Sequence, residues 1–136
     1  MIDPIAYFLS LIITCMFVNL GLALYGIFFR PSLVKKIIAL TILGDTANTF
    51  AIILGYRRWP SPETPSIPPV LVNYLNATHE TLAEFQKRAV DPLPQALVLT
   101  AIVIGLAVTL FLVFLTLQIY RLYGTTDVRE IRRLRG

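Results

Sequence analysis

Apolar residues collect in three long runs. Residues 4–29 carry no formal charge, residues 37–56 carry one, Asp45, and residues 95–120 carry none. None of the runs alternates with the two-residue period of a barrel strand, so each is expected to be a helix. A bilayer core about 30 Å thick is crossed by about 20 apolar residues in helical form. Lipid leaves backbone groups no outside partner, which restricts spanning structures to helices and closed barrels. The pattern predicts an all-α membrane protein, a single membrane domain over 1–136. Its transmembrane helices are expected over about 4–29, 33–56 and 92–123, with a long loop over about 57–91 and a tail over about 124–136.

The punctuation between the runs supports these bounds. Pro92 and Pro94 suit the entrance of a helix, where the first N–H groups have no intrahelical partner and a fixed φ costs nothing. In the long loop, RRWPSPETPSIPP holds five prolines, which predicts an extended interfacial strap with Trp59 near the membrane surface. Beyond it, THETLAEFQKRAV predicts a short amphipathic surface helix, with Thr81 and Glu84 spaced as a capping box and Leu82 and Phe85 on one side. Asn76-Ala77-Thr78 is a glycosylation sequon, a weak signal by itself. The tail carries Val128, Ile131 and Leu134 at spacings of three among charges, the pattern of a short helix docking on membrane or partner.

Composition sharpens the solvent. Of 136 residues, 56% are hydrophobic and 15% charged, and the mean hydropathy is +0.71, too apolar for a water-soluble domain of this length. The first run lacks a basic start and a cleavage-type end, so it is expected to be retained as a transmembrane helix. Eight of the twelve basic residues fall in the first turn (Arg30, Lys35, Lys36) and around the tail (Arg121, Arg129, Arg132, Arg133, Arg135). The loop over 57–91 holds the other four, Arg57, Arg58, Lys87 and Arg88. The more basic side is cytoplasmic, which predicts the N-terminus and long loop outside and the C-terminus inside, in a multi-pass cell-membrane protein. The net charge of +4 then reports orientation and anionic lipid rather than nucleic acid. One cysteine, Cys15, and one histidine, His79, provide no metal or redox cluster, and Cys15 is expected to be a small buried residue. No nucleophile–base pair, phosphate loop or cofactor box can be assembled, so the chain is expected to be no enzyme by itself and to need no cofactor.

Chemistry concentrates on the second run. An Asp at the centre of a membrane helix costs roughly 2.5–3.5 kcal/mol on insertion scales, so Asp45 must face protein or water. Thr41, Asp45, Asn48 and Thr49 fall on one face of a helix. A carboxyl group there can relay protons, or, when protonated, simply bond a neighbouring helix. On the first helix, Asn19, Ala23 and Gly26 form a small-residue face suited to close packing. On the third, Gln95 and Thr100 lie about 140° apart around the axis and cannot serve one site. Thr109 and Thr116 can satisfy carbonyls of their own helix. Polar residues on several faces of three helices imply a subunit embedded among other membrane proteins.

DPLPQALVLTAIVIG, followed by LAVTLFLVFL and YGTTD, closely resembles the third helix of the C subunit of the multisubunit Mrp-type monovalent cation/proton antiporters. GLALYGIFFRPSLVKKIIALTILGDTANTFAIILGY is similar to that family's first turn and second helix. The family is in turn similar to the K subunit of respiratory complex I. The resemblance implies three transmembrane helices with the N-terminus outside, packed between antiporter-like subunits that handle sodium ions and protons. It also implies functional importance for Gln95 and Thr100, in assembly or in ion transfer. The two intramembrane glutamates of the complex I subunit fall at Thr41 and Leu106, so neither carboxylate is present here; Asp45 stands one turn from Thr41. Mrp-type subunits also occur in archaeal membrane-bound hydrogenases and sulfane sulfur reductases, whose redox arm drives an antiporter-like module, and the lengthened proline-rich loop suits such a setting. Three functions follow: a connecting subunit of an Mrp-type antiporter that lines part of an ion path, with Asp45, Thr41, Asn48, Gln95 and Thr100 as candidates; the same subunit in a hydrogenase or reductase complex; or a purely structural assembly subunit.

Overall fold

The computed structural model describes residues 4–56, 66–72 and 74–133. These residues form five α-helices: α1 (Pro4–Phe29), α2 (Leu33–Leu54), α3 (His79–Arg88), α4 (Pro92–Tyr123) and α5 (Val128–Arg133). A 3-10 turn lies at Tyr74–Asn76. No sheet occurs among the described residues; there are two isolated bridges, Ser32 with Asp127 and Ile67 with Ala89. α1, α2 and α4 are each long and apolar enough to cross a membrane. At 1.5 Å per residue α4 reaches about 48 Å, well beyond a hydrocarbon core of about 30 Å. In its most apolar stretch only 6% of the residues are buried within the chain. The rest, Phe111 and Leu117 among them, must be covered by lipid or by other proteins.

The chain divides into two units. The first holds α1, α2 through Phe50, α4 from Ala101, and α5. Small residues set its helix spacing. Ala23 is fully buried and Ala39 nearly so, and a Cβ added at Gly26 would sit 2.6 Å from the Ala39 Cβ, so α1 and α2 meet where neither carries bulk. Phe17 and Phe50 close the far end of this hairpin edge to face, 5.7 Å apart. At the near end Lys36 Nζ donates to the Ile27 carbonyl, satisfying one of the orphan acceptors that end α1. Arg30 lies 5.4 Å above the Tyr25 ring.

The tail is clipped to the α1–α2 turn. Leu33 N–H donates to the Thr126 carbonyl and Val128 N–H to the Pro31 carbonyl, both at 3.0 Å. Gly124, with φ of 69°, ends α4 in the left-handed conformation and frees the chain to turn back. Asp127 then caps α5 by accepting from the Arg129 N–H at 2.8 Å.

The second unit, Ala51–Thr100, contains the end of α2, α3 and the start of α4. α2 stops at Leu54 rather than 56, because Gly55 and Tyr56 already turn, with Tyr56 N–H bonded back to the Ile53 carbonyl. A Cβ on Gly55 would meet Pro94 Cγ at 2.7 Å, so a side chain is excluded there. Asp91 caps α4 by accepting from the Leu93 N–H at 3.0 Å. With Pro92 and Pro94 lacking N–H groups, few donors of the first turn remain to be satisfied.

α3 forms as its pattern predicts, but its cap lies three residues earlier. Thr78 is the N-cap and Thr81 the third helical residue, each side chain serving the other's backbone. Glu84 is instead drawn to Arg88 at 3.0 Å, one turn on. Ile67 bridges to the end of α3 through the Arg88 carbonyl and the Val90 N–H. Arg57, Arg58, Trp59 and most of the proline strap lie outside the described residues, as do Leu134 and Arg135.

Candidate functional site

α2 builds the site. Asp45 stands about 18 Å along the axis from Leu33 and about 14 Å from Leu54, near the middle of the span. Its side chain is exposed, and among the described residues none donates to its carboxylate. Lys36, about 14 Å down the same helix, is engaged with α1. Partners for the carboxyl group beyond the described residues are water or another subunit.

Residues of α2 are rotated by about 100° per step. From Asp45, Thr41 and Asn48 therefore lie about 40–60° to one side, and Ile42 and Thr49 a similar angle to the other. The single polar face expected from the sequence is thus split along its crest. On one side, a groove of about 770 Å³ between α2 and α4 is lined by Thr41, Asp45, Asn48 and Thr109 among apolar residues. On the other, a groove of about 470 Å³ between α1 and α2 is lined by Asp45, Thr49, Asn19 and Cys15. Asp45 is common to both.

Hydroxyls along this face are partly committed. Thr41 donates to the Ile37 carbonyl at 3.0 Å, Thr46 to Ile42 at 2.7 Å and Thr49 to Asp45 at 2.8 Å. Each keeps lone pairs, so Thr41 and Thr49 can accept from water in their grooves but spend their own proton on the helix. Thr116 does the same with Leu112, as expected. Leu106 lines the α2–α4 groove with Asp45 and offers it no polar side-chain atom.

Thr41, Asp45 and Asn48 are therefore brought together. Gln95 and Thr100 stand on the first turns of α4 in the second unit, both exposed. The Thr100 hydroxyl reaches its own Ala96 carbonyl at a long 3.4 Å. Two expectations change. Cys15 is exposed rather than buried, because its neighbour Met16 takes the interface position, 4% exposed. Asn19, expected to pack with Ala23 and Gly26, is exposed on the groove side instead. Thr109 and Asn19, read from the sequence as a carbonyl-bonding and a packing residue, line the two grooves beside Asp45; that placement depends on the packing of the helices and not on the pattern within one. Among the described residues no group of three His, Cys, Asp or Glu could hold a metal ion.

Comparison with known proteins supplies the family. The family model for NADH-ubiquinone/plastoquinone oxidoreductase chain 4L matches residues 9–136. The C1 subunit of the Na(+)/H(+) antiporter of Staphylococcus epidermidis is 34% identical over 133 residues, 96% of this chain and 92% of the relative. An uncharacterised protein of Methanocaldococcus jannaschii is 36% identical over 104 residues, 76% of this chain and 72% of the relative. Among solved structures, a chain of the membrane-bound sulfane sulfur reductase, an archaeal respiratory membrane complex, superposes with a TM-score of 0.66. It is 32% identical and the match covers 86% of this chain and 93% of that one. The likeness carried by DPLPQALVLTAIVIG thus extends over almost the whole sequence, and with three spanning helices the chain belongs to the NADH-ubiquinone/plastoquinone oxidoreductase chain 4L family as a small multi-pass membrane subunit.

Proposed function

We propose that the chain is a connecting subunit of an Mrp-type sodium/proton antiporter module, and that Asp45 carries protons through it. The observation that supports this most directly is a mid-span carboxyl group, unpaired among the described residues, in a groove that also presents Thr41, Asn48 and Thr109. Those side chains can hold water beside the carboxyl group, and a proton can enter and leave by that water. The polar face is then an ion path bordered by a neighbouring antiporter-like subunit, and the chain performs no catalysis of its own. Gln95 and Thr100, exposed at the other end of α4, contact neighbouring subunits there. The N-terminus and the 57–91 loop face outside, the tail rests near anionic lipid on the cytoplasmic face, and 1–136 forms one membrane domain.

The test is transport by the reconstituted complex. Asp45→Asn is expected to lower coupled sodium and proton flux by on the order of tenfold or more, with the protein still co-purifying. Unchanged flux in the assembled variant leaves a purely structural role. A second reading rests on the likeness to a reductase chain: the same module driven by a redox arm. Iron–sulfur or nickel–iron proteins co-purifying with the chain would establish that setting and exclude a free-standing antiporter.

A further inference from the structure

We propose that Asn19 of α1 is a further ion-path residue, and that with Thr49 it forms a second hydrated branch, so that the path crosses the ridge of α2 at Asp45. This rests on the proton-carrier reading of Asp45. Two independent observations support it. First, the packing register places Asn19 at the depth of Asp45. Gly26 against Ala39 and Phe17 against Phe50 pair α1 with α2 as an antiparallel hairpin, in which Asn19 falls opposite residues 46–48, within one turn of Asp45. Second, Asn19 does not enter the helix interface; that is filled by Met16 and Ala23. Asn19 instead lines the α1–α2 groove together with Asp45, Thr49 and Cys15.

Asp45 alone lies on the boundary of the two grooves, its near neighbours falling about 40–60° to either side. A carboxylate so placed can accept a proton from water on the Asn48 side, becoming neutral. It can then release that proton to water on the Asn19 side and return to the anion, with no second carboxyl group required. Asn19 supplies both a donor and an acceptor for the water that receives it. The branch thus gives the proton a second way out, on the α1 side, distinct from the α2–α4 groove.

Two measurements on the whole reconstituted complex decide this. Asn19→Val is expected to lower coupled flux at least about fivefold with assembly intact, and Asn19→Ser, which keeps a donor and an acceptor, to restore most of it. The native Cys15 reports the groove's water: a membrane-impermeant cationic thiol reagent, followed by peptide mass spectrometry, is expected to modify it. Unchanged flux in Asn19→Val, or an unreactive Cys15, overturns the branch. Should Asn19→Val fail to assemble, Asn19→Ala, which also removes the amide, takes its place in the same flux assay, with Cys15 labelling as before. Asp45→Asn run alongside separates the two readings. Lost flux there with normal flux in Asn19→Val removes the branch and leaves the carrier, whereas normal flux in Asp45→Asn removes both.

Discussion

Asp45 and Thr41 sit one turn apart on the same groove, yet their chemistry differs. Thr41 donates its proton to the Ile37 carbonyl at 3.0 Å, so it can orient water but has no free proton to pass on. Thr41→Val is therefore expected to retain flux within about twofold of the parent, in contrast to the loss of order tenfold or more expected for Asp45→Asn. Proteoliposome flux measured per assembled complex compares the two. A Thr41→Val effect as large as that of Asp45→Asn would make the threonine an obligatory relay. The Asp was visible in the sequence because a charge inside an apolar run has few structural uses. The split of its surroundings was not, since Thr41, Asn48 and Thr49 share a helix face by number alone. Which of them meets α1 and which meets α4 depends on how three helices pack. Asn19 was misread for the same reason: its spacing from Ala23 and Gly26 suggested packing, while Met16 and Ala23 hold the contact.

The three long helices were legible because an apolar run of 20 or more residues with at most one charge has no stable alternative in water. Helix ends were less so, being settled by local competition for hydrogen bonds. Thr78 and Thr81 can each cap α3, and Glu84, which could have completed a box with Thr81, pairs with Arg88 instead. At α4, the Asp91 cap is expected to stabilise the first turn by about 1 kcal/mol. Asp91→Ala should then speed amide exchange of Leu93 and Gln95 about fivefold, because a free energy of that size is a factor of about five in local opening. Asp91→Asn should leave the rate near the parent's. Between α1 and α2 the margin is narrower. A Cβ at Gly26 would lie 2.6 Å from the Ala39 Cβ, which has no flexible end to move aside, so the helices must separate. Gly26→Val is expected to cost about 1–3 kcal/mol of packing, read as a lower melting temperature of the purified complex. Gly21, with nothing within 4 Å of an added Cβ, is the matched control: Gly21→Ala should leave that temperature unchanged or raise it.

Orientation in the membrane is a property of the entire chain, and both charge and hydrogen bonding constrain it. Eight basic residues lie in the first turn and around the tail, against four in the 57–91 loop, and the orientation proposed above sets the richer side in the cytoplasm. The tail clip adds a constraint that charge cannot give. Leu33 bonds to Thr126 and Val128 to Pro31, so the α1–α2 turn and the tail must share one face of the membrane. Two crossings after α1 bring the chain back to that face, as three spanning helices require. The basic residues then act together: Lys35, Arg129, Arg132 and Arg133 are all exposed at the clipped end, where each positive charge near an anionic leaflet is worth about 1 kcal/mol. In cells, with Cys15 replaced by Ala, a cysteine at Asn76 is expected to react with an impermeant maleimide added outside. One at Thr125 should react only after the membrane is opened. The reverse pattern would invert the orientation while leaving the clip intact. Labelling of both from outside would mean that α4 does not cross, and the shared face imposed by the clip would then have to be reached without three spans.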